Sequence, residues 1–314
     1  MDPATPRLHP AEAAALTRKV TLMSVGVALA LVAMKLAAWM ASGSVALLAS
    51  LADSALDLLA SLITYFAVRY AAAPPDAEHR FGHGKAEAFA SLMQGGLVFA
   101  SAALVGQEAL RHALDPRPIS AGGWAAGVMV ASTLLTAGLI YAQTQVVRRT
   151  GSVAVSGDRA HYLSDLASNM AALAGVAAAA WLGLARVDAL AGLVVAALLV
   201  WGAVGVFRQA SAQLMDHELP TAARARIVEL VTRDPRLTDV HQLRTRAAGP
   251  IMHVQMHVDL DPDLSLEEAH EVLVEAEKRL LEAFPAADVI IHPDPRGRAE
   301  PHGGAFAEES DARA

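Results

Sequence analysis

Two carboxylate-bearing pairs stand inside segments that are otherwise apolar: Asp53 and Asp57 in LLASLADSALDLLASL, and His161 and Asp165 in RAHYLSDLASNMAALAG. An ionised side chain at the centre of a bilayer costs several kcal/mol, about 2.5 to 3.5 for Asp on insertion scales, so its retention implies an ion or a proton as partner. Each pair is spaced i, i+4, which sets both side chains on one helix face. On facing helices the two pairs offer one imidazole nitrogen and three carboxylates, a set that encloses a divalent metal tetrahedrally. Interhelical hydrogen bonding to Ser50, Ser54, Ser164 and Asn169 is the bland alternative. Three mutually repelling carboxylates weigh against it, because they demand a cation or protons.

Two further groups carry ligand chemistry. In the loop PPDAEHRFGHGK, Asp76, His79 and His83 follow one another at intervals of three and four, within reach of one ion in a turn. Near the C-terminus, His241, His257, His270, His292 and Asp294 fall on or beside three predicted strands and a helix, with His253 and His217 as possible extra ligands. Folding of one small domain could converge them.

The elements that must position these residues follow from composition. The chain has 314 residues, 54% of them hydrophobic, and no cysteine, so thiolate sites and disulfides are excluded. The net charge of -7 lies mostly in the C-terminal third and argues against a nucleic-acid partner. Six apolar stretches are expected to span, near 20–41, 45–70, 86–112, 121–147, 152–183 and 188–211, each close to the roughly 20 residues a bilayer core requires. SGS at 42–44, APPDAEHRFGHGK from 73, the DPRP run at 115–118, RRTGS at 148–152 and ARVD at 185–188 separate them. An even number of spans puts both termini on one side. Arg18, Lys19, Arg69, Arg80, Lys85, Arg148, Arg149, Arg159 and Arg208 flank that side, against Arg111, Arg117 and Arg186 on the other, so it is cytoplasmic. Residues 1–19 form a cytoplasmic lead-in without a cleavage signal. Lys35, inside the first span, is expected to snorkel to the outer interface.

From about 212 the pattern becomes α-β-β-α-β, a small α+β domain of ferredoxin-like or metallochaperone-like order to 296, with a disordered tail at 297–314. The expected architecture is therefore a six-helix membrane bundle over 20–211 and a metal-binding domain over 212–296.

Taken in order, LADSALDLLASL, PPDAEHRFGHGKAEAFASL, GDRAHYLSDLASN and DVIIHPDP resemble the cation diffusion facilitator family, most closely its bacterial zinc and ferrous-iron efflux branch, the FieF type. The resemblance covers residues 18 to 296. It implies a transport site at Asp53, Asp57, His161 and Asp165, a loop site at Asp76, His79 and His83, and a cytoplasmic dinuclear site at His241, His257, His270, His292 and Asp294, with Asp294 bridging. It also implies charge contacts of Lys85 with Asp216 near the membrane face of a homodimer in the inner membrane. Pro293 departs from relatives, which often carry Gln there; proline restricts the turn that presents the second ion's ligands. The function implied is proton-coupled efflux of Zn²⁺, with Fe²⁺, Cd²⁺ and Co²⁺ as alternative cargo, by a transporter rather than an enzyme. A metal-binding membrane scaffold and an intramembrane metal-dependent hydrolase are the alternatives; no HExxH motif supports the second.

Overall fold

A computed structural model describes residues 8–42, 45–114, 123–182 and 185–298. The expected 115–118 break, Arg117 and the disordered tail from 299 onward lie outside them. The described residues divide into two compact units, one up to 216 with 248–250 and one over 217–247 and 251–298.

The first unit holds six long helices: α1 Pro10–Ser42, α2 Val45–Ala71, α3 Ala86–Leu114, α4 Gly123–Thr150, α5 Val153–Leu182 and α6 Ala185–Leu214. α1 starts ten residues before the expected first span. Pro10 explains this: its fixed φ and missing N–H suit the first helical position, and the ring of His9 accepts the Ala11 N–H at 3.4 Å. Five helices carry stretches long and apolar enough to cross a membrane, Pro10–Ala41, Ser50–Ala71, Ala86–Arg111, Val130–Thr150 and Gly192–Leu214. α5, with Asp158, Arg159 and Asp165 in its first half, does not join them among the described residues.

Burial in this unit runs opposite to that of a water-soluble protein. Phe66, Phe89, Leu104, Leu134 and Trp201 are exposed, while Thr21, Ser24, Ser61, Thr64, Gln94, Gln143 and Asp158 are buried among alanines. With lipid outside there is no hydrophobic drive between helices, so small side chains and hydrogen bonds hold the interior. Gly157 shows how close the approach is. A Cβ there would lie 3.0 Å from Ser91 Cα and 3.2 Å from Gln94 Cβ, so an approach of α5 to α3 as close as this needs a glycine.

The second unit has the order α7 Thr221–Val231, β1 Val240–Ala248, β2 Ile251–Leu260, α8 Leu266–Ala283 and β3 Ala287–Pro295. Its sheet runs β1-β2-β3. A two-residue connection makes β1 and β2 an antiparallel hairpin, whereas β3 returns through α8 to lie parallel to β2, with His257 opposite His292 and Asp259 opposite Asp294. α8 starts at a capping box: Ser265 accepts from Glu268 N–H, and the Glu268 carboxylate accepts from Ser265 N–H at 2.9 Å. Strand alternation decides the faces. Met252, Val254, Met256, Val258 and Leu260 are buried with Ile227, Val272, Ala276 and Leu280 of the helices, which leaves His253, His257 and Asp259 on the other face.

Candidate metal sites

In the helical unit, α2 and α5 bring three of the four expected residues together. His161 Nε2 stands 3.0 Å from Asp57 Oδ1 and 3.8 Å from Asp165 Oδ2. One ligand atom from each of Asp57, His161 and Asp165 lies within 4.8 Å of the others. Tetrahedral ligands at about 2.0 to 2.1 Å from zinc are roughly 3.3 Å apart, so a small closure fits these donors to one ion. His161 is 5% exposed, and its Nδ1 is buried without a hydrogen-bond partner. Asp53, one turn earlier on α2, is exposed and stands outside this group. A residue four places away rises about 6 Å along the axis, so the spacing that shares a face does not by itself share a ligand sphere.

Neighbours hold the group in place. The Tyr162 hydroxyl and Ser61 Oγ are 2.8 Å apart, tying α5 to α2, and that hydroxyl also donates to the Ser24 carbonyl of α1 at 3.3 Å. Lys35 meets partners on α2. Its ammonium donates to Ser54 Oγ at 2.6 Å and to the Ser50 carbonyl at 3.1 Å, because the oxygens of α2 satisfy it within the unit. There its charge opposes those of Asp57, Asp53 and Asp165.

The loop after α2 gathers Asp76, His79 and His83. Asp76 Oδ1 accepts the backbone N–H groups of His79 at 2.7 Å and Glu78 at 2.9 Å, and its Oδ2 is 3.2 Å from His83 Nε2. The His79 N–H holds the Asp76 carboxyl below the usual carboxylate range; slight desolvation opposes this and the Glu78 N–H reinforces it. Gly82 at φ +78° turns the chain back so that the two imidazole rings come within 4.6 Å. Lys85, just beyond, contacts Asp216 at 3.0 Å.

In the second unit, Asp294 is the hub. Its Oδ2 accepts from His257 Nδ1 at 2.9 Å and from His241 Nε2 at 3.1 Å, and its Oδ1 is 3.5 Å from His292 Nε2. Parallel register explains the meeting, since His292 and Asp294 flank Pro293 on the strand face that also carries His257. Partial desolvation raises the Asp294 carboxyl, but the bond from His257 and the contacts with His241 and His292 outweigh it and hold it below the ordinary range. Three imidazoles and one carboxylate suit zinc, a borderline ion that takes nitrogen and oxygen ligands. His270 does not join them: it is exposed on α8, and α8 covers the opposite, apolar face of the sheet. The expected extra ligand His253 pairs with Asp288 at 2.9 Å, and His217 Nδ1 donates to the Glu218 carbonyl.

Residues 21–215 match the family profile described as the cation efflux transmembrane domain, and residues 219–296 match the profile of the cation efflux protein cytoplasmic domain. The cation-efflux pump FieF of Pectobacterium carotovorum is 41% identical over 284 residues, covering 88% of this chain and 93% of that protein. The chain belongs to the cation efflux family. FieF of Salmonella arizonae is 38% identical over 280 residues, 89% of this chain and 93% of the relative. These relatives are transporters, not enzymes, and the family's transmembrane domain makes this chain an integral membrane protein. Among solved structures, one titled a putative zinc transporter CzrB in its zinc form is 34% identical with a TM-score of 0.26, covering 27% of this chain and 98% of that one. The metal-bound C-terminal domain of a CzcD transporter from Thermotoga maritima is 29% identical with a TM-score of 0.24, covering 24% and 91%.

One residue of this family member went unnoticed in the sequence. Asp158 is fully buried, one turn before His161, with Gln143 Nε2 donating to it at 2.8 Å and Gln94 Nε2 at 3.3 Å. Beside Arg159 it resembles an ordinary charge at a helix end. The stripe Asp158, His161, Asp165, spaced by three and four, was the available signal.

Proposed function

We propose that this protein exports Zn²⁺ from the cytoplasm in exchange for protons, with Fe²⁺, Cd²⁺ and Co²⁺ as further cargo. The convergence of Asp57, His161 and Asp165 inside a helical membrane unit carries the proposal. Asp53 completes the tetrahedron as the fourth ligand by swinging in from the next turn of α2. Six spans, α5 among them, place both termini in the cytoplasm of the inner membrane, and two copies assemble as a homodimer. The loop residues Asp76, His79 and His83 receive cargo near the membrane face. His241, His257, His292 and Asp294 hold a structural or regulatory zinc pair, which His270 joins only from a second copy of the chain, while Lys85 and Asp216 form a hinge.

The chemistry sets the coupling. Imidazole titrates near 6.5 and must be neutral to ligate, so protons and metal compete for the site in the physiological range. Exporting a 2+ ion against the membrane potential costs about 4.6 kcal/mol per 100 mV, twice the cost for a unit charge. Inward protons offset it. Purified protein in proteoliposomes with an imposed pH gradient tests the proposal: zinc flux in one direction with proton flux in the other supports it. Zinc flux indifferent to the gradient overturns the coupling, and absence of flux overturns transport.

A further inference from the structure

Among its described residues the helical unit buries two carboxylates that the metal site does not use: Glu87 on α3, which accepts from the Ser152 hydroxyl, and Asp158 on α5. Asp158 on α5 has no exposure and no cationic partner among the described residues; both its oxygens accept amide N–H bonds, Oδ1 from Gln94 of α3 and Oδ2 from Gln143 of α4. A buried unpaired charge is costly, so such a group either takes up a proton or relies on donors aimed at it. The surroundings suit both states. Gln94 Oε1 and Gln143 Oε1 are buried without hydrogen-bond partners, and Gln143 Nε2 also donates to Ser24 Oγ at 3.1 Å. If the Gln143 amide turns over, its free oxygen accepts the O–H of a protonated Asp158, and the Ser24 hydroxyl, donor and acceptor alike, reverses its bond. The polarity of the network thus follows the charge on the carboxyl.

Asp158 also lies within the field of the metal group. His161 is three residues on, about 4.5 Å of helix rise, and the charged or titratable groups bearing on Asp158 are His161 and Tyr162 of α5 and Asp57 of α2. α1, α3 and α4 present the neutral Ser24, Gln94 and Gln143, each a hydrogen-bond partner of the carboxyl. A divalent ion at Asp57, His161 and Asp165 favours the ionised carboxylate, and its departure favours the acid. We infer that Asp158 is a proton carrier separate from the metal ligands: its carboxylate binds one proton when metal leaves and releases that proton when the next metal enters.

This inference rests on the proposed metal and proton exchange, and its test separates the two. Zinc and proton movements are recorded together in proteoliposomes for wild type and Asp158→Asn. The variant should move about one proton fewer per zinc, because Asn cannot titrate. Wild type that moves zinc without protons overturns the exchange itself; equal ratios in the two proteins overturn only the role of Asp158. Should Asp158→Asn fail to fold or transport, Gln143→Met gives the second test. Loss of a donor to the ionised form should shift the pH profile of zinc flux alkaline, and infrared difference spectra on adding zinc should move the pH at which a protonated-carboxyl band is lost. An unshifted profile and band would leave Asp158 as a hydrogen-bonding strut and end the inference.

Discussion

Replacing Asp294 by alanine in the full chain should uncouple the C-terminal unit from zinc. Asp294 meets His241, His257 and His292 alike, so its removal takes a ligand and the group that orients the imidazoles. Loss of a supporting residue at a metal site costs 10- to 100-fold in affinity, and the upper figure suits a direct ligand. At zinc 1,000 times the wild-type Kd, binding stabilises the folded unit by about 4.1 kcal/mol; for a variant binding 100-fold more weakly the same zinc gives roughly 1.4 kcal/mol. The difference of about 2.7 kcal/mol corresponds to roughly 100-fold in opening equilibria, which hydrogen exchange reads in the amides of β2 and β3. With zinc, protection of those amides should fall about 100-fold in the variant; with chelator the two proteins should differ little. A zinc-dependent gain in protection of equal size in both proteins would refute the assignment of Asp294 as a ligand.

Three further outcomes are expected. His161→Asp should weaken zinc transport and relax rejection of Mn²⁺, since an all-oxygen set suits the harder ion; unchanged selectivity in metal-competition flux would count against the site. Gly157→Val should destabilise the helical unit by about 1 to 3 kcal/mol through overpacking against Ser91 and Gln94, measured as thermal inactivation of the detergent-solubilised protein. Asp234, whose carboxyl is held below its ordinary range by the bidentate bonds from Arg236 at 3.0 and 2.7 Å, contributes stability present above about pH 4 and lost as pH falls through the depressed folded value. Asp234→Asn should therefore be destabilising at pH 7 and progressively less so in acid, read from denaturant unfolding of the C-terminal unit.

Much of the C-terminal unit was legible because its elements announce themselves: S-x-x-E opens α8, and alternation over 251–260 marks β2 and its two faces. The same alternation, carried one step further, excludes His270 from the histidine face, because a helix covering the apolar side cannot reach the other. In the helical unit, i, i+4 spacing identified the pairs on α2 and α5 yet could not say that Asp57 alone meets His161 while Asp53 stays a turn away. Helix rotation decides that, and uniformly apolar helices carry little periodicity to reveal it. The partners of Lys35 and Asp158 were not legible for one reason: Ser50, Ser54, Gln94 and Gln143 are neutral and lie far along the chain.

The central claim is that cargo is held by Asp57, His161 and Asp165 between α2 and α5. Zinc flux into proteoliposomes by the Asp57→Ala protein, with folding verified by retained zinc binding in the C-terminal unit, tests it most directly. Flux at the level of protein-free liposomes is the predicted result; flux equal to that of wild type would contradict the account.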